Sequence, residues 1–482
     1  MGKLFKVKES GSTIGTEISA GLTTFFTMAY IVMVNPGILT VVNKFNPENL
    51  MSWNGVFTAT ILAAVIGTLV MGLVANVPYA QAPGMGLNAF FTYTVCGALG
   101  FQWQEALAMV FICGVINILI TATKVRKSII KAIPDSLQNA IGGGIGLFIA
   151  FIGIKGAGLL EFTSDPGQNI ILEDGTVIAD SSIIPALVKF NDSFALLALI
   201  GIVITIVLLV LKVKGAIFIG IIATTVIGIP MGVTNVSNVN WFDVTAVGGI
   251  KDTAGAMFGD IGFATMFSSP QKIFAVIVTV FAFSLSDTFD TIGTFIGTGR
   301  VSGIFDKKDD EALLEGKGFK SKMDRALFAD ATATSVGALL GTSNTTTYVE
   351  SAAGIQAGGR TGLTSVVVAV MFLLCLPFAG AFGIVPGAAT APALIVVGIM
   401  MAGSFCHVKW DDFAEAAPAF LTVAFMAFSY SISTGIAVGF IFYVLIKLCS
   451  GKIKEAHPIL IGSTVLFLIN FVITGLQAAG VF

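Results

Sequence analysis

Apolar residues run along this chain in blocks of roughly 20, the length a helix needs to cross a hydrocarbon core about 30 Å thick. Each block closes on a short polar, charged or glycine-rich stretch. The blocks fall at 14–34, 53–75, 78–99, 104–123, 138–158, 193–211, 215–233, 272–297, 326–341, 344–357, 362–381, 388–405, 417–433, 435–449 and 457–480. The joint at Ser433–Gly435 separates two short blocks. The pattern predicts an all-α polytopic membrane protein.

Composition agrees with this pattern. The 482 residues are 55% hydrophobic and 11% charged, against about a quarter charged in soluble domains. A soluble chain this apolar would have no surface to present to water. A net charge of −2 gives no basic footprint for nucleic acid. Cys96, Cys113, Cys375, Cys406 and Cys449 are scattered without metal-ligand spacing, so neither a disulfide frame nor a zinc site is expected. His407 and His457 are the only histidines, and both adjoin charged segments. The sequence therefore predicts no cofactor and no metal. Lys3, Lys6 and Lys8 precede a first block that reads as a span, with no small-residue cleavage site between them.

Charge in the loops sets the orientation, because cytoplasmic loops collect Lys and Arg. With the N-terminus inside and the blocks alternating, the inner side receives Lys3, Lys6, Lys8, Lys124, Arg126, Lys127, Lys131, Lys212 and Lys214. It also receives the bases of the loop 300–325, then Arg360, Lys409, Lys447, Lys452 and Lys454. Of the 26 Lys and Arg, only Lys44, Lys155, Lys189, Lys251 and Lys272 fall elsewhere. The loops 159–192 and 234–271 lie outside and read as polar turns rich in Gly, Asp, Asn and Ser. The charged loop 300–325 reads as a solvated linker between two halves.

Two blocks break their own pattern. Val77–Phe91 carries Pro78, Pro83, Gly84 and Gly86 inside an apolar run; proline removes a backbone donor and glycine loosens a helix. Gly341–Glu350 is a hydroxyl-rich, β-branched run that favours extended backbone. Unwound backbone at membrane depth survives only when buried in protein or lining a wet cavity. The breaks occupy the third and tenth blocks, equivalent positions if seven spans repeat with inverted topology. Paired breaks of this kind point to a transporter's binding site. Half-helix N-termini there aim backbone N–H groups at a ligand.

Acids cluster beside the breaks. Asp287 and Asp290 are three apart in the eighth block, hence on one helix face. Each costs about 2.5–3.5 kcal/mol at a span's centre on insertion scales, which marks them as functional unless polar neighbours such as Thr merely tie them between helices. Glu350 follows the second break directly. A carboxyl in a partly dry cavity exchanges protons in the working pH range and hydrogen-bonds a polar heterocycle in either state. These acids are the expected proton carriers. Asn88 either reads donors and acceptors on a ring or caps its half-helix. Phe90 and Phe91 either stack on a base or pack. Glu17 reads as an interface residue at the start of the first span, and Asp330 as a partner for Arg325.

Three stretches resemble a known family: Gln81–Tyr93, Asp287–Thr294, and Thr345–Ser351 continuing through Ala357–Gly362. They are similar to the azaguanine-type purine permeases, a branch of the nucleobase–cation symporter-2 superfamily. Thr16–Tyr30 followed by Asn35-Pro36 looks like the same family. The resemblance covers nearly the whole chain. It implies about fourteen spans as two inverted seven-span repeats, with a core domain (spans 1–4 and 8–11), a gate domain (5–7 and 12–14), and short strands in spans 3 and 10. The repeats would be 14–233 and 272–449, joined through 234–325, with 457–480 left over as an extra span or a surface helix. The resemblance implies purine import across the cell membrane by proton symport with alternating access, hypoxanthine and guanine favoured. It places substrate contacts on Asn88, Asp287, Asp290 and Glu350, with Ser343, Asn344, Thr345, Thr346 and Phe90 beside them. A homodimer through the gate domains is implied as well. Residues Ser351–Ile355 depart from the pattern of the uracil and xanthine permeases, where an Asn and a Gly soon follow the tenth-span acid. Asp290-x-x-Gly293 resembles an acid-x-x-Gly pattern in those sister permeases, which favours Asp290 over Asp287 as proton carrier.

Adenine or xanthine transport remains open, as does an anion transporter of the same fold, though three acids disfavour an anion. Paired breaks fit alternating access better than a channel. No nucleophile–base pair, metal cluster or phosphate loop suggests an enzyme.

Overall fold

The computed structural model describes residues 4–123, 132–164, 169–171, 177–179, 183–237, 239–295, 298, 303–305 and 321–478. The basic cluster Lys124–Lys131, Lys3, and the linker residues 306–320 lie outside this set.

Helices dominate. The principal ones are α1 (Ile14–Met28), α2 (Ile31–Leu39), α3 (Trp53–Val70), α4 (Met85–Ala89), α5 (Trp103–Ala122), α6 (Asp135–Gly156), α7 (Ser193–Val210) and α8 (Ala216–Gly228). After the outer loop come α9 (Pro270–Thr294), α10 (Lys322–Leu340), α11 (Ser351–Gln356), α12 (Gly362–Leu373), α13 (Gly387–Met401), α14 (Phe413–Phe428), α15 (Ile432–Cys449) and α16 (Pro458–Ala478). Among the described residues, nine helical runs are long and apolar enough to cross a membrane. The fold is an all-α polytopic membrane architecture. Its lipid-facing helices show as expected: Ser193–Val210 has a mean hydropathy of 3.0 yet only 28% of it is buried. Lipid solvates such a face as well as protein would.

The helices pack in two groups. In the first, α10 lies on α5 and α3, α12 on α1 and α3, and α9 on α5. In the second, α13 crosses α6 and α7, and α14 packs on α6 and α15. The α6–α13 crossing is close because it is built on glycine. A Cβ on Gly146 would sit 2.8 Å from the Gly398 carbonyl, the small-residue approach that holds membrane helices together.

Both breaks contain a strand. β1 (Gln81–Pro83) pairs antiparallel with β6 (Thr345–Thr347), with Gln81 opposite Thr347 and Pro83 opposite Thr345. The two unwound segments thus satisfy each other's backbone groups in the interior, as a bilayer requires.

Three loop expectations need correction. The loop 159–192 is not merely a run of turns: β2 (Leu160–Ser164) pairs with β5 (Ile183–Leu187), and β3 (Asn169–Ile171) with β4 (Val177–Ala179). Apolar residues within the loop supply these strands. The loop 234–271 packs onto α3, where Thr58 donates to the Ala246 carbonyl at 3.3 Å. Ile304 and Phe305 of the linker are buried rather than solvated, and Phe305 stacks on Tyr79 with ring centroids 6.0 Å apart. The C-terminal α16 is one helix seated against α15 and α9, with Phe467 between Phe281 (6.0 Å) and Phe440 (5.9 Å).

Candidate functional site

The strand pair is the floor of the site. Gly84 N–H donates to the Asn344 carbonyl at 2.9 Å and Tyr348 N–H to the Ala80 carbonyl at 3.0 Å, extending the pairing at both ends. The Tyr348 hydroxyl donates to the Pro83 carbonyl at 2.6 Å. A side chain at position 84 would collide with the partner strand, its Cβ 2.6 Å from Thr346 Cγ2. Immediately after the strands the chain turns helical again, α4 from Met85 and α11 from Ser351. Two half-helix N-termini therefore flank one strand pair.

A small cavity of about 60 Å³ opens here. One wall carries Tyr30, Ser286, Asp290, Thr346, Thr347, Tyr348 and Glu350, with Gly84–Leu87 at the start of α4. The opposite wall is Ile145, Val397 and Met401, from the second helix group. Ligand pockets usually measure about 300–1,000 Å³, so this one is contracted. The Tyr30 hydroxyl donates to Glu350 Oε1 at 2.5 Å. Ser286 Oγ is buried with no hydrogen-bond partner. Buried hydroxyls in helices commonly bond the carbonyl one turn back, as Thr332 and Ser335 do here. Ser286 does not, and its hydroxyl is left for whatever occupies the cavity.

The sequence-derived candidates divide between this cavity and a dry layer behind it. Asp290, Glu350 and Thr346 line the cavity. Asp287 is fully buried and faces the other way. Its Oδ2 accepts from Asn117 Nδ2 at 2.9 Å and from Thr334 Oγ1 at 3.3 Å, while Oδ1 has no partner. Ser284 donates to the same Asn117. Asn88 donates to Asn35 Oδ1 at 3.0 Å, and Asn35 reaches Thr60 and Thr342 at 2.7 and 2.8 Å. Asn344 approaches Cys113 Sγ at 3.5 Å. Asn88 Oδ1, Asn344 Oδ1, Ser343 Oγ and Thr345 Oγ1 are buried without partners. Phe90 packs edge-on against Phe283, centroids 4.7 Å apart, and presents no face to the cavity.

Two acids take roles the sequence reading did not give them. Asp330 does not pair with Arg325 but serves the strands, accepting from Thr347 Oγ1 at 2.7 Å and Gln81 Nε2 at 3.1 Å. Glu17, read as an interface residue, is fully buried in the protein. It accepts from the backbone of Arg360 (3.0 Å) and Thr361 (3.3 Å) and from Thr364 Oγ1 (2.6 Å), pinning the turn after α11. Helix spacing relates Ser286 to Asp290 by one turn, a pairing visible in the sequence but overshadowed there by the two acids.

The sequence pattern of the Permease family matches residues 15–438. The chain belongs to that family. This permease is 41% identical to the guanine/hypoxanthine permease PbuO of Bacillus subtilis (strain 168), the match covering 98% of this chain and 100% of that one. It is 36% identical to the adenine permease AdeQ of Escherichia coli (strain K12), over 98% of this chain and 96% of the relative. Among solved structures, the transmembrane domain of a cyanobacterium bicarbonate transporter, BicA, superposes with a TM-score of 0.56 at 14% identity, covering 86% of this chain and 96% of that one. That likeness bears on fold alone. The permease is thus a multi-pass membrane transporter of this fold rather than an enzyme, and it belongs with the nucleobase–cation symporters the sequence resembles.

Proposed function

We propose that this permease imports purine bases, hypoxanthine and guanine first, across the cell membrane by proton symport with alternating access. The N-terminus is cytoplasmic in this reading, and the inverted repeats are 14–233 and 272–449. The observation that carries it is the cavity at the strand pair, where Asp290, Glu350, Ser286 and Tyr30 meet the N-terminus of α4. A purine offers donors and acceptors around a flat ring. Carboxyls, hydroxyls and backbone N–H groups answer both kinds. Asp290 is the proposed proton carrier, and Glu350, hydrogen-bonded to Tyr30, the substrate ligand. Asp287, Asn88, Ser343, Asn344 and Thr345 hold the layer behind them. Full-length similarity to a guanine/hypoxanthine permease supports the substrate class.

Similarity to an adenine permease supports adenine as the second reading. An anion is disfavoured by two carboxyls facing the cavity. The test is uptake of radiolabelled hypoxanthine in cells lacking purine permeases, with unlabelled bases as competitors and a protonophore control. Competition by guanine and collapse with protonophore are expected. Competition by adenine alone moves the substrate to the second reading. Absence of uptake of every base, from protein present in the membrane, overturns the proposal.

A further inference from the structure

A second, much larger cavity of about 880 Å³ lies on the same seam between the two helix groups. Three elements run from one cavity to the other. Helix α6 contributes Ile145 to the small cavity and Ile152 and Lys155 to the large one; α13 contributes Val397 and then Leu394; the first span contributes Tyr30 and then Met33. At 1.5 Å per residue these steps are roughly 5–10 Å. The large cavity falls in the usual size range of ligand pockets, about 300–1,000 Å³, and the small one does not.

Its lining is aromatic and basic. Tyr430 stands at the joint between α14 and α15 in left-handed backbone, φ +57°, a conformation uncommon outside glycine. Its ring is surrounded by Tyr93 (5.5 Å), Phe148 (5.7 Å) and Phe151 (5.8 Å), and Lys155 Nζ lies 4.9 Å from its centroid. Thr94 Oγ1 donates to the Tyr430 carbonyl at 3.0 Å, fixing the strained residue to the other helix group. Lys44 is the second cation, and no carboxylate lines the cavity among the described residues. Neither lysine has an ion-pair partner among the described residues.

We propose that this cavity is a second binding site, an antechamber in which an oxopurine stacks on the Tyr93 ring, which meets Tyr430 edge-on, while the Lys155 ammonium beside Tyr430 donates to its ring acceptors. The proposal rests on the purine reading above. Aromatic faces stack any base, and ammonium groups donate but never accept. An oxopurine such as guanine presents two adjacent acceptors, O6 and N7, where adenine presents one acceptor beside a donor amine. The antechamber therefore prefers oxopurines, independently of the acids in the small cavity.

Thr390 lines the large cavity and serves as a reporter position. Thr390→Cys is placed in a Cys406→Ser, Cys449→Ser background, which removes the two exposed native thiols. Modification by a methanethiosulfonate reagent is timed on purified protein, with and without hypoxanthine or adenine. Hypoxanthine is expected to slow modification about threefold or more in this protein and equally after Asp290→Asn, with adenine less effective. Lys155→Met and Tyr430→Ala should each remove the protection; if Tyr430→Ala does not fold, Lys155→Met carries the test. Protection that vanishes with Asp290→Asn, or survives Lys155→Met, overturns the antechamber. Uptake of hypoxanthine by the unmodified permease, measured in parallel, separates the two ideas: uptake without protection sinks the antechamber alone, and no uptake of any base sinks the reading beneath it.

Discussion

Removing one hydroxyl tests the proposed site most sharply. Tyr30 is fully buried, and its hydroxyl holds Glu350 Oε1 at 2.5 Å. Tyr30→Phe keeps the ring and its packing and deletes only that donor. A hydrogen bond to an ionised group contributes about 1.5–3 kcal/mol. Each ~1.4 kcal/mol is a factor of ten, so Vmax/KM for hypoxanthine should fall about 10- to 150-fold. Protein in the membrane is counted for each variant, because losing the donor strands Glu350 Oε1 and lowers stability as well. Uptake is measured over a range of hypoxanthine concentrations, normalised to surface protein, for Tyr30→Phe, Glu350→Gln and the double variant. If the hydroxyl acts through Glu350, the double variant should be no worse than Glu350→Gln, the non-additivity expected of a contacting pair. Uptake by Tyr30→Phe within about twofold of the unmodified permease lies inside ordinary surface-substitution effects and would refute the reasoning. So would strictly additive losses.

Other expectations follow from the same geometry. Asp290→Asn should lose about 100-fold in uptake while retaining thermal stability in detergent, because its carboxyl faces the cavity. Asp287→Ala should instead lower stability by about 1–3 kcal/mol, since Asn117 and Thr334 lose their acceptor; loss of base binding in Asp287→Asn but not in Asp290→Asn would reverse these roles. Gly84→Ala drives a methyl into Thr346 Cγ2 and should destabilise by about 1–3 kcal/mol, seen as a lower Tm, with Thr346→Ser recovering part of it by removing the colliding methyl. Lys272 pairs with the buried Glu105 at 2.7 Å. Lys272→Met should lower Tm by leaving that carboxylate unpaired, and adding Glu105→Gln should restore much of the loss.

Most of the architecture was legible in the sequence because a bilayer enforces it. Apolar length reads as a span, and two interrupted blocks read as unwound backbone that must be buried or line a cavity at that depth; the short strands there came from the family resemblance, and their pairing is seen in the structure. Glu350 and Asp290 were legible as cavity residues for the same reason: acids in apolar blocks are costly enough to need a role. What failed was direction. Helical spacing placed Asp287 and Asp290 on one face, and three residues along a helix still differ by about 60°. That angle is enough to send Asp290 to the cavity and Asp287 into the gap between α5 and α10. Ser286, a full turn before Asp290, carries no charge and so gave no signal against a background of structural serines. Tyr30 sat inside a stretch read only for its family likeness. Asp330 was assigned a partner by proximity in sequence, Arg325, whereas its actual partners are Gln81 and Thr347; Glu17 was read without a partner, and those it takes, Thr361 and Thr364, come from a distant segment.

The distribution of hydrogen bonds also bears on how such a cavity opens. Around the small cavity every polar group belongs to one wall. Tyr30 ties the first span to Glu350 just before α11, and Glu17 ties it to the turn after α11. Asp330 and Thr334 tie α10 to β6, through the Thr347 hydroxyl and the Thr345 carbonyl. Thr291 ties α9 to Thr346 at 2.9 Å. That wall is held together as a unit, since separating its parts would strand buried donors and acceptors at about 1–3 kcal/mol each. The facing wall of Ile145, Val397 and Met401 offers only apolar contact. Parting the two walls there breaks no hydrogen bond, and a polar base moving in supplies partners for Ser286 and the carboxyls. At the large cavity the seam does carry a bond, from Thr94 to the Tyr430 carbonyl. Resistance to opening is therefore concentrated at the Thr94–Tyr430 bond rather than at the acids, so Thr94→Val, which deletes its donor, should alter the rate of exchange while acid substitutions alter what is bound.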